Sequence, residues 1–384
     1  MYASKLLKVL YSPRKTLQEV VQEPKYVAPL LIMILLIAAN AVSAYAVLSK
    51  EYYEQILPTG TNLDEWTENS TFWTSNANIA LSNDAINGTY YGNYSISFSI
   101  QNSSQVWMSL TGIGTVDCSV PNGFNVSSFR TKWISSVPTI ENVTIQMFSS
   151  NSSSDYFTSD LTEAFSNSTY NIWNNVTVPL ATAGWVSVGA NADWGNITGL
   201  QLQLTLAASS NATLLTDGLF FHGPFKPILQ TEGAAYLLNY GVLGAFQFAV
   251  TWVLLSGLIY VLIKALKGKI TWKPMLIAVG LILMTMFIGA LITAIDYSTL
   301  PTLRFPFELL GGVQGEGDAA AKIISDQTYL IAQVGSIIQL VVWAWTAALA
   351  ALAVRVVAEL SWGKSLLVGM VAYAATIILA SFIV

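Results

Sequence analysis

Five stretches of the chain are apolar for twenty residues or more, at 27–48, 236–263, 275–295, 329–354 and 363–384. About 20 residues at about 1.5 Å rise cover the roughly 30 Å hydrocarbon core of a bilayer, so each stretch predicts a transmembrane helix. Between the first and second stretches the pattern changes. Strict alternation runs through 94–100, 143–147 and 200–206, and a period of two predicts strands with one buried face. Further strands are expected near 71–75, 105–111, 128–134, 155–159, 174–180, 185–189 and 214–221. They are separated by Asn, Gly, Ser and Pro turns with no helical pattern between them.

The expected fold class is therefore an α-helical polytopic membrane bundle of five transmembrane helices plus an all-β jelly-roll sandwich inserted between helices 1 and 2. The domain reading is a cytoplasmic amphipathic segment at 1–26, a first span at 27–48, a β-sandwich with linkers at 49–235, and four spans within 236–384 that enclose a loop at 296–328. A signal peptide is rejected for the first span: its apolar run is too long for an h-region, and the flank of 26 residues is too long for an n-region. In 1–26, Leu6, Leu7, Val9, Leu10, Leu17, Val20 and Val21 recur with helical spacing interrupted by Ser12-Pro13, with proline at the first position of a new helix. Two short amphipathic helices on the membrane surface are the first reading, and helices docked on the bundle the second.

Charge then orients the chain. The 1–26 segment, the 264–273 loop and the fourth connection carry eleven basic against three acidic residues; the remaining segments carry six basic against nineteen acidic. Cytoplasmic loops are the basic ones, so the N-terminus is expected inside, and the β-domain, the 296–328 loop and the C-terminus outside, in a plasma membrane.

Composition removes most catalytic chemistry. The chain is 53% hydrophobic and 10% charged, with a mean hydropathy of +0.52. One cysteine, Cys118, allows no internal disulfide, and one histidine, His222, excludes most zinc sites and most Ser-His or Cys-His arrangements. No Gly-rich phosphate loop, basic patch or metal-ligand cluster is present, so nucleic acid is not an expected partner and no enzyme activity is expected. His222, in Phe220-Phe221-His222-Gly223-Pro224, reads as a turn or membrane-interface residue. Within the spans the polar residues are Asn40, Gln247, Gln333 and Gln339, with no midplane carboxylate or base, which disfavours ion transport. Such amides, with small residues such as Gly280, Gly289, Ala347, Ala348 and Ala351, serve helix packing.

Asn-x-Ser/Thr sequons stand at Asn69, Asn87, Asn93, Asn102, Asn125, Asn142, Asn151, Asn167, Asn175, Asn196 and Asn211, all in the segment assigned outside. The composition of that segment would give roughly five by chance, so N-linked glycans are expected. A glycosylated domain without disulfides fits an archaeal cell surface. Trp185 and Trp194 lie in turn-rich sequence and are candidates for stacking on a sugar; the competing reading packs them in the core. Trp133 alternates with Phe129 and Thr131 and is expected to be buried. Asp155, Asp193 and Asp217 could serve a structural calcium ion, although no loop has EF-hand spacing and no cofactor is otherwise expected.

Tyr11-Ser12-Pro13-Arg14-Lys15-Thr16, Glu23-Pro24 and Pro29-Leu30-Leu31 resemble the opening of the Yip-domain family of five-helix membrane proteins. Leu266-Lys267-Gly268-Lys269-Ile270-Thr271-Trp272-Lys273, Trp343-Ala344-Trp345 and Glu359-Leu360-Ser361-Trp362-Gly363-Lys364-Ser365 resemble its cytoplasmic turn, its fourth helix and the turn into its fifth. The resemblance covers about 1–50 and 236–384 and implies five spans with a cytoplasmic N-terminus; the common form lacks the large sandwich. The stretches 142–145, 173–180, 193–200 and 216–221 resemble carbohydrate-binding-module and galactose-binding-like jelly rolls, which implies the fold more than sugar binding. The function expected is a non-catalytic membrane protein that presents an N-glycosylated sandwich at the cell surface as an accessory or scaffold subunit. The lipid bilayer and other membrane or envelope proteins are its expected partners. Alternatives are a surface receptor for a glycan or similar polymer, and a lipid-handling or transport bundle.

Overall fold

The structure is a computed structural model that describes residues 2–59, 64–134, 137–149, 154–231 and 233–383. The chain forms two compact units, one of 1–51, 227–303 and 325–384, the other of 52–226 and 304–324.

In the first unit, α1 (Tyr2–Tyr11) and α2 (Pro13–Gln22) precede α3 (Val27–Leu48). Pro13 opens α2, and the Ser12 carbonyl accepts from the Thr16 amide and hydroxyl. Val9, Leu17 and Val20 are buried in one cluster with Ile32, Met275 and Ile277, so this pair of helices docks on the bundle. That corrects the surface reading of 1–26: the apolar stripe finds protein, which is as dry as lipid and close-packed as well.

Helices α4 (Gly233–Ala265), α5 (Trp272–Ile282), α6 (Met284–Ser298), α7 (Asp318–Ala358), whose first residues to 324 belong to the second unit, and α8 (Trp362–Ala380) complete the unit. Five spans are long and apolar enough to cross a membrane: 27–48, 233–265, 272–298, 318–358 and 362–380. The third differs from the expected uninterrupted helix, because α5 and α6 meet at Leu283, whose ψ of 0° leaves the helical ladder. There the Thr285 hydroxyl turns to the Ile282 carbonyl and pairs with the Thr346 hydroxyl at 2.7 Å, which ties the break to α7. The fourth span begins eleven residues before the expected 329, at Asp318. Close approaches fall at small residues. A side chain at Gly244 would overlap the Asn40 amide, one at Gly289 would press on Val342, and one at Gly369 would strike the backbone of Ala351.

The second unit carries β1 (Glu51–Leu57), β2 (Trp73–Ser75), β3 (Asn78–Ser82), β4 (Ser95–Val116), β5 (Val126–Trp133), β6 (Ile140–Ser149), β7 (Tyr156–Asp160), β8 (Asn174–Pro179), β9 (Val186–Val188), β10 (Ile197–Pro227) and β11 (Leu303–Phe305). All pairings described are antiparallel, and the eleven strands form one hydrogen-bonded network. The cause is the length of β4 and β10. Their 105–116 and 197–206 halves pair with each other and with β2 and β6; their 95–103 and 210–217 halves pair with each other and with β3 and β5. Register shifts near Ser210 let the long pair bend from one layer into the other. Alternation becomes burial: Ile96, Phe98 and Ile100, Val143, Ile145 and Met147, and Leu200, Leu202 and Leu204 lie in a single core with Phe129 and Trp133.

Residues 304–324, within the segment expected as a loop at 296–328, group with the sandwich. The Gly311 carbonyl accepts from the amides of Thr89 and Tyr90. Gly312 follows at φ +71°, where a side chain would also overlap Thr89.

Candidate functional site

Where residues 304–317 cover the outer face of β5, β8 and β10 they enclose a polar cleft of about 240 Å³. Alternation places Val126, Ser128 and Arg130 of β5 on the face opposite the core residues Phe129 and Trp133, and so into the cleft. In the β5–β8 register Ser128 faces Thr177 and Arg130 faces Asn175, both also in the lining. On the other side of β5, Ser128 faces Phe220, which makes His222 its diagonal neighbour.

Three side chains form a chain of hydrogen bonds there. Ser128 Oγ lies 2.7 Å from His222 Nε2, and His222 Nδ1 lies 3.2 Å from Glu54 Oε1. The second Glu54 oxygen accepts from the Phe307 amide at 2.7 Å, so segment 304–317 fixes the carboxylate. The Phe307 ring packs on Phe220 and His222, with centroids 4.5 and 5.7 Å away. His222 is buried inside β10, which corrects its reading as a turn or membrane-interface residue. Continuation of β10 through Gly223 and Pro224 keeps it in the sandwich.

Arg130 closes the neighbouring part of the cleft. Its guanidinium donates to both Glu316 oxygens at 2.6 Å and to the Tyr91 hydroxyl at 3.1 Å. Burial works against its charge, but the bonds and attraction from Glu316 and Tyr91 outweigh this and lift its pKa above the ordinary arginine value. Burial likewise raises the Tyr91 hydroxyl. The sequence gives no local sign of this cluster, because its members come from positions 54, 91, 128, 130, 222, 307 and 316.

The predicted stacking residues Trp185 and Trp194 come together, both half-buried against the core. Trp194 stacks on Phe157 at 4.0 Å, Trp185 stands edge-on to it at 5.1 Å, and the Trp185 indole donates to the Pro179 carbonyl. This is a packed aromatic corner rather than an open platform. Asp155, Asp193 and Asp217 do not converge: each is taken up by backbone amides, Asp193 by Gly195 of its own turn, Asp155 by the distant Asn191, and Asp217 by Gly218 and the distant Ile86. Among the described residues no group of three or more His, Cys, Asp or Glu side chains could hold a metal ion.

Of the sequon asparagines, Asn69, Asn87, Asn93, Asn102, Asn125, Asn142, Asn167, Asn175 and Asn211 are exposed and Asn196 is half-buried; Asn151 lies outside the described residues. Asparagines outside sequons, such as Asn76, Asn78 and Asn122, are exposed too, so exposure follows from polarity and makes the sites reachable. In the first unit, α6 and α7 part beyond Gly289 and Val342 to leave an open cleft of about 540 Å³, lined by Thr293, Tyr297, Ser336, Gln339 and Trp343 among others.

The Yip1 domain family matches residues 176–383, a range that holds the last four spans and the end of the sandwich but not 1–50. No curated protein sequence matches. Among solved structures the chain is similar to a carbohydrate-binding module of the β-sandwich superfamily, at 12% identity and a TM-score of 0.27, covering 42% of this chain and 62% of that one. A family 11 carbohydrate-binding module from Clostridium thermocellum, in complex with a β-1,3-1,4-mixed-linked tetrasaccharide, is 14% identical, covering 44% and 95%, also at a TM-score of 0.27. A family 30 module of a cellulosomal cellulase of the same organism is 16% identical, covering 39% and 90%, at 0.28.

Proposed function

The chain belongs to the Yip1 domain family, and we propose that it is an accessory or scaffold subunit presenting its β-sandwich on the extracytoplasmic side of the membrane. One observation carries the reading: residues 304–324 are built into the sandwich unit while their flanking segments are not. The two units are thus joined by four chain crossings, at 51–52, 226–227, 303–304 and 324–325. Two apolar spans, 233–265 and 272–298, separate 52–226 from 304–324, so a bilayer crossed by both leaves the two segments on one side, as a shared unit requires. The charge asymmetry and the reachable sequons favour the outer side and N-linked glycans there.

The test is extraction of the full-length protein in mild detergent from native membranes, followed by size analysis and identification of what co-migrates. A stoichiometric membrane or envelope protein supports the scaffold role. Recovery of the chain alone counts against it, and the full-length protein is then assayed against envelope glycans.

A second reading is lipid handling, favoured by the α6–α7 cleft. In hydrocarbon an amide or hydroxyl without a partner is expensive, and Gln339 and Tyr297 line this open cleft. Mass spectrometry of lipids retained on the purified protein, compared with Gln339→Leu, tests it: equal retention removes this reading.

A further inference from the structure

We propose that Ser128, His222 and Glu54 form an acyl-transfer site that hydrolyses short-chain esters of neutral alcohols. The three groups stand in the order nucleophile, base and orienting carboxylate, with separations of 2.7 and 3.2 Å, and all three line the same cleft. A serine hydroxyl is a weak nucleophile until a base takes its proton, and the base must be held in one tautomer. Glu54 does the holding. Its Oε1 accepts Nδ1–H of His222, which leaves Nε2 as the acceptor facing Ser128, and its Oε2 is anchored by the Phe307 amide. A merely structural histidine needs neither a cleft beside it nor a serine on its free nitrogen.

The step balances within the site plus water. Ser128 Oγ bonds to the acyl carbon as its proton passes to His222 Nε2; the carbon–oxygen bond to the alcohol then breaks, and the same proton leaves on the alcohol. Water repeats the sequence on the acyl-serine, with His222 taking and returning a proton, and releases the carboxylic acid. The negative oxygen formed on the way develops beside Thr177, opposite Ser128 in the register, and Asn175. Among the described residues neither side chain has a hydrogen-bond partner, so the Thr177 hydroxyl and the Asn175 amide are free to donate to it.

The lining defines the substrate class. Glu54, Glu308 and Glu316 outnumber Arg130, so an anionic ester is repelled. About 240 Å³ leaves room for an acyl group of a few carbons against Phe307 and Val126, not for a long chain.

The test uses full-length protein in detergent, treated with a small fluorophosphonate and mapped by peptide mass spectrometry, with p-nitrophenyl acetate turnover as a second readout. The expected result is one adduct on Ser128. Its formation slows at least tenfold in His222→Gln, whose melting temperature is checked alongside, and turnover is lost in Ser128→Ala. Glu54→Gln, a positioning change, lowers kcat about tenfold and leaves KM unaltered. Folded wild-type protein that forms no Ser128 adduct overturns the proposal, and so does an adduct whose rate is unchanged in His222→Gln.

Discussion

Arg130 on β5 and Glu316, far along the chain, meet in a two-toothed ion pair with both N–O distances at 2.6 Å. Their side chains are 10% and 30% exposed, so the pair is largely shielded from water and spans a sequence separation of 186 residues. It fastens segment 304–317 over the cleft.

Removing one partner leaves the other charge poorly solvated. Arg130→Ala is expected to destabilise the sandwich unit by about 2–3 kcal/mol. Glu316→Gln keeps one acceptor and has the smaller effect. Limited proteolysis checks this: cleavage within 304–317 should quicken in Arg130→Ala, and unchanged cleavage would mean that Phe307 and Gly311 hold the segment unaided.

Two buried carboxylates make stability depend on pH. Burial pushes Asp64 up to about 6 and Asp217 up to about 7, against backbone hydrogen bonds that lower each. A raised acid binds its proton more tightly when folded than when unfolded. Their contribution to stability is therefore full below about pH 4, falls as pH rises from there through 6 and 7, and is gone above. Melting curves between pH 5 and 8 should show this decline, and it should be shallower in Asp217→Asn, which cannot ionise. A slope identical to wild type in that variant would refute the assignment.

Trp194 is a structural residue on this geometry. Trp194→Ala removes the stack on Phe157 and the edge contact of Trp185, and is expected to cost about 3 kcal/mol. A platform residue would behave differently, losing glycan binding in a microarray assay with an unchanged melting temperature.

Asn175 belongs both to a sequon and to the lining of the cleft. A glycan there would stand where the ester must enter. Glycopeptide mapping is therefore expected to find Asn175 bare in protein that labels at Ser128, while Asn69, Asn87 and Asn93 can carry sugar. Full occupancy together with efficient labelling would show that the cleft is entered from elsewhere.

Features that depend on local periodicity are legible in the residues themselves. Unbroken apolar runs produced five spans because a bilayer demands length and continuity, and a period of two produced the buried rows of β4, β6 and β10 because pleated strands alternate. The single break at Leu283 escaped local periodicity, since Thr285 prefers the Thr346 hydroxyl only once α6 lies against α7. Continuity of strands escaped it also: 94–100 with 105–111, and 200–206 with 214–221, are two strands rather than four, because pairing partners carry the chain through its polar midsections. The site arises from long-range folding. Alternation set Ser128 and Arg130 on the outer face of β5, which reads as solvent until segment 304–324 folds back over it. The lone histidine gained partners the same way, from a strand that begins at Glu51 and another at Val126. Such contacts depend on strand register and chain return, and neither is encoded within a window of neighbouring residues.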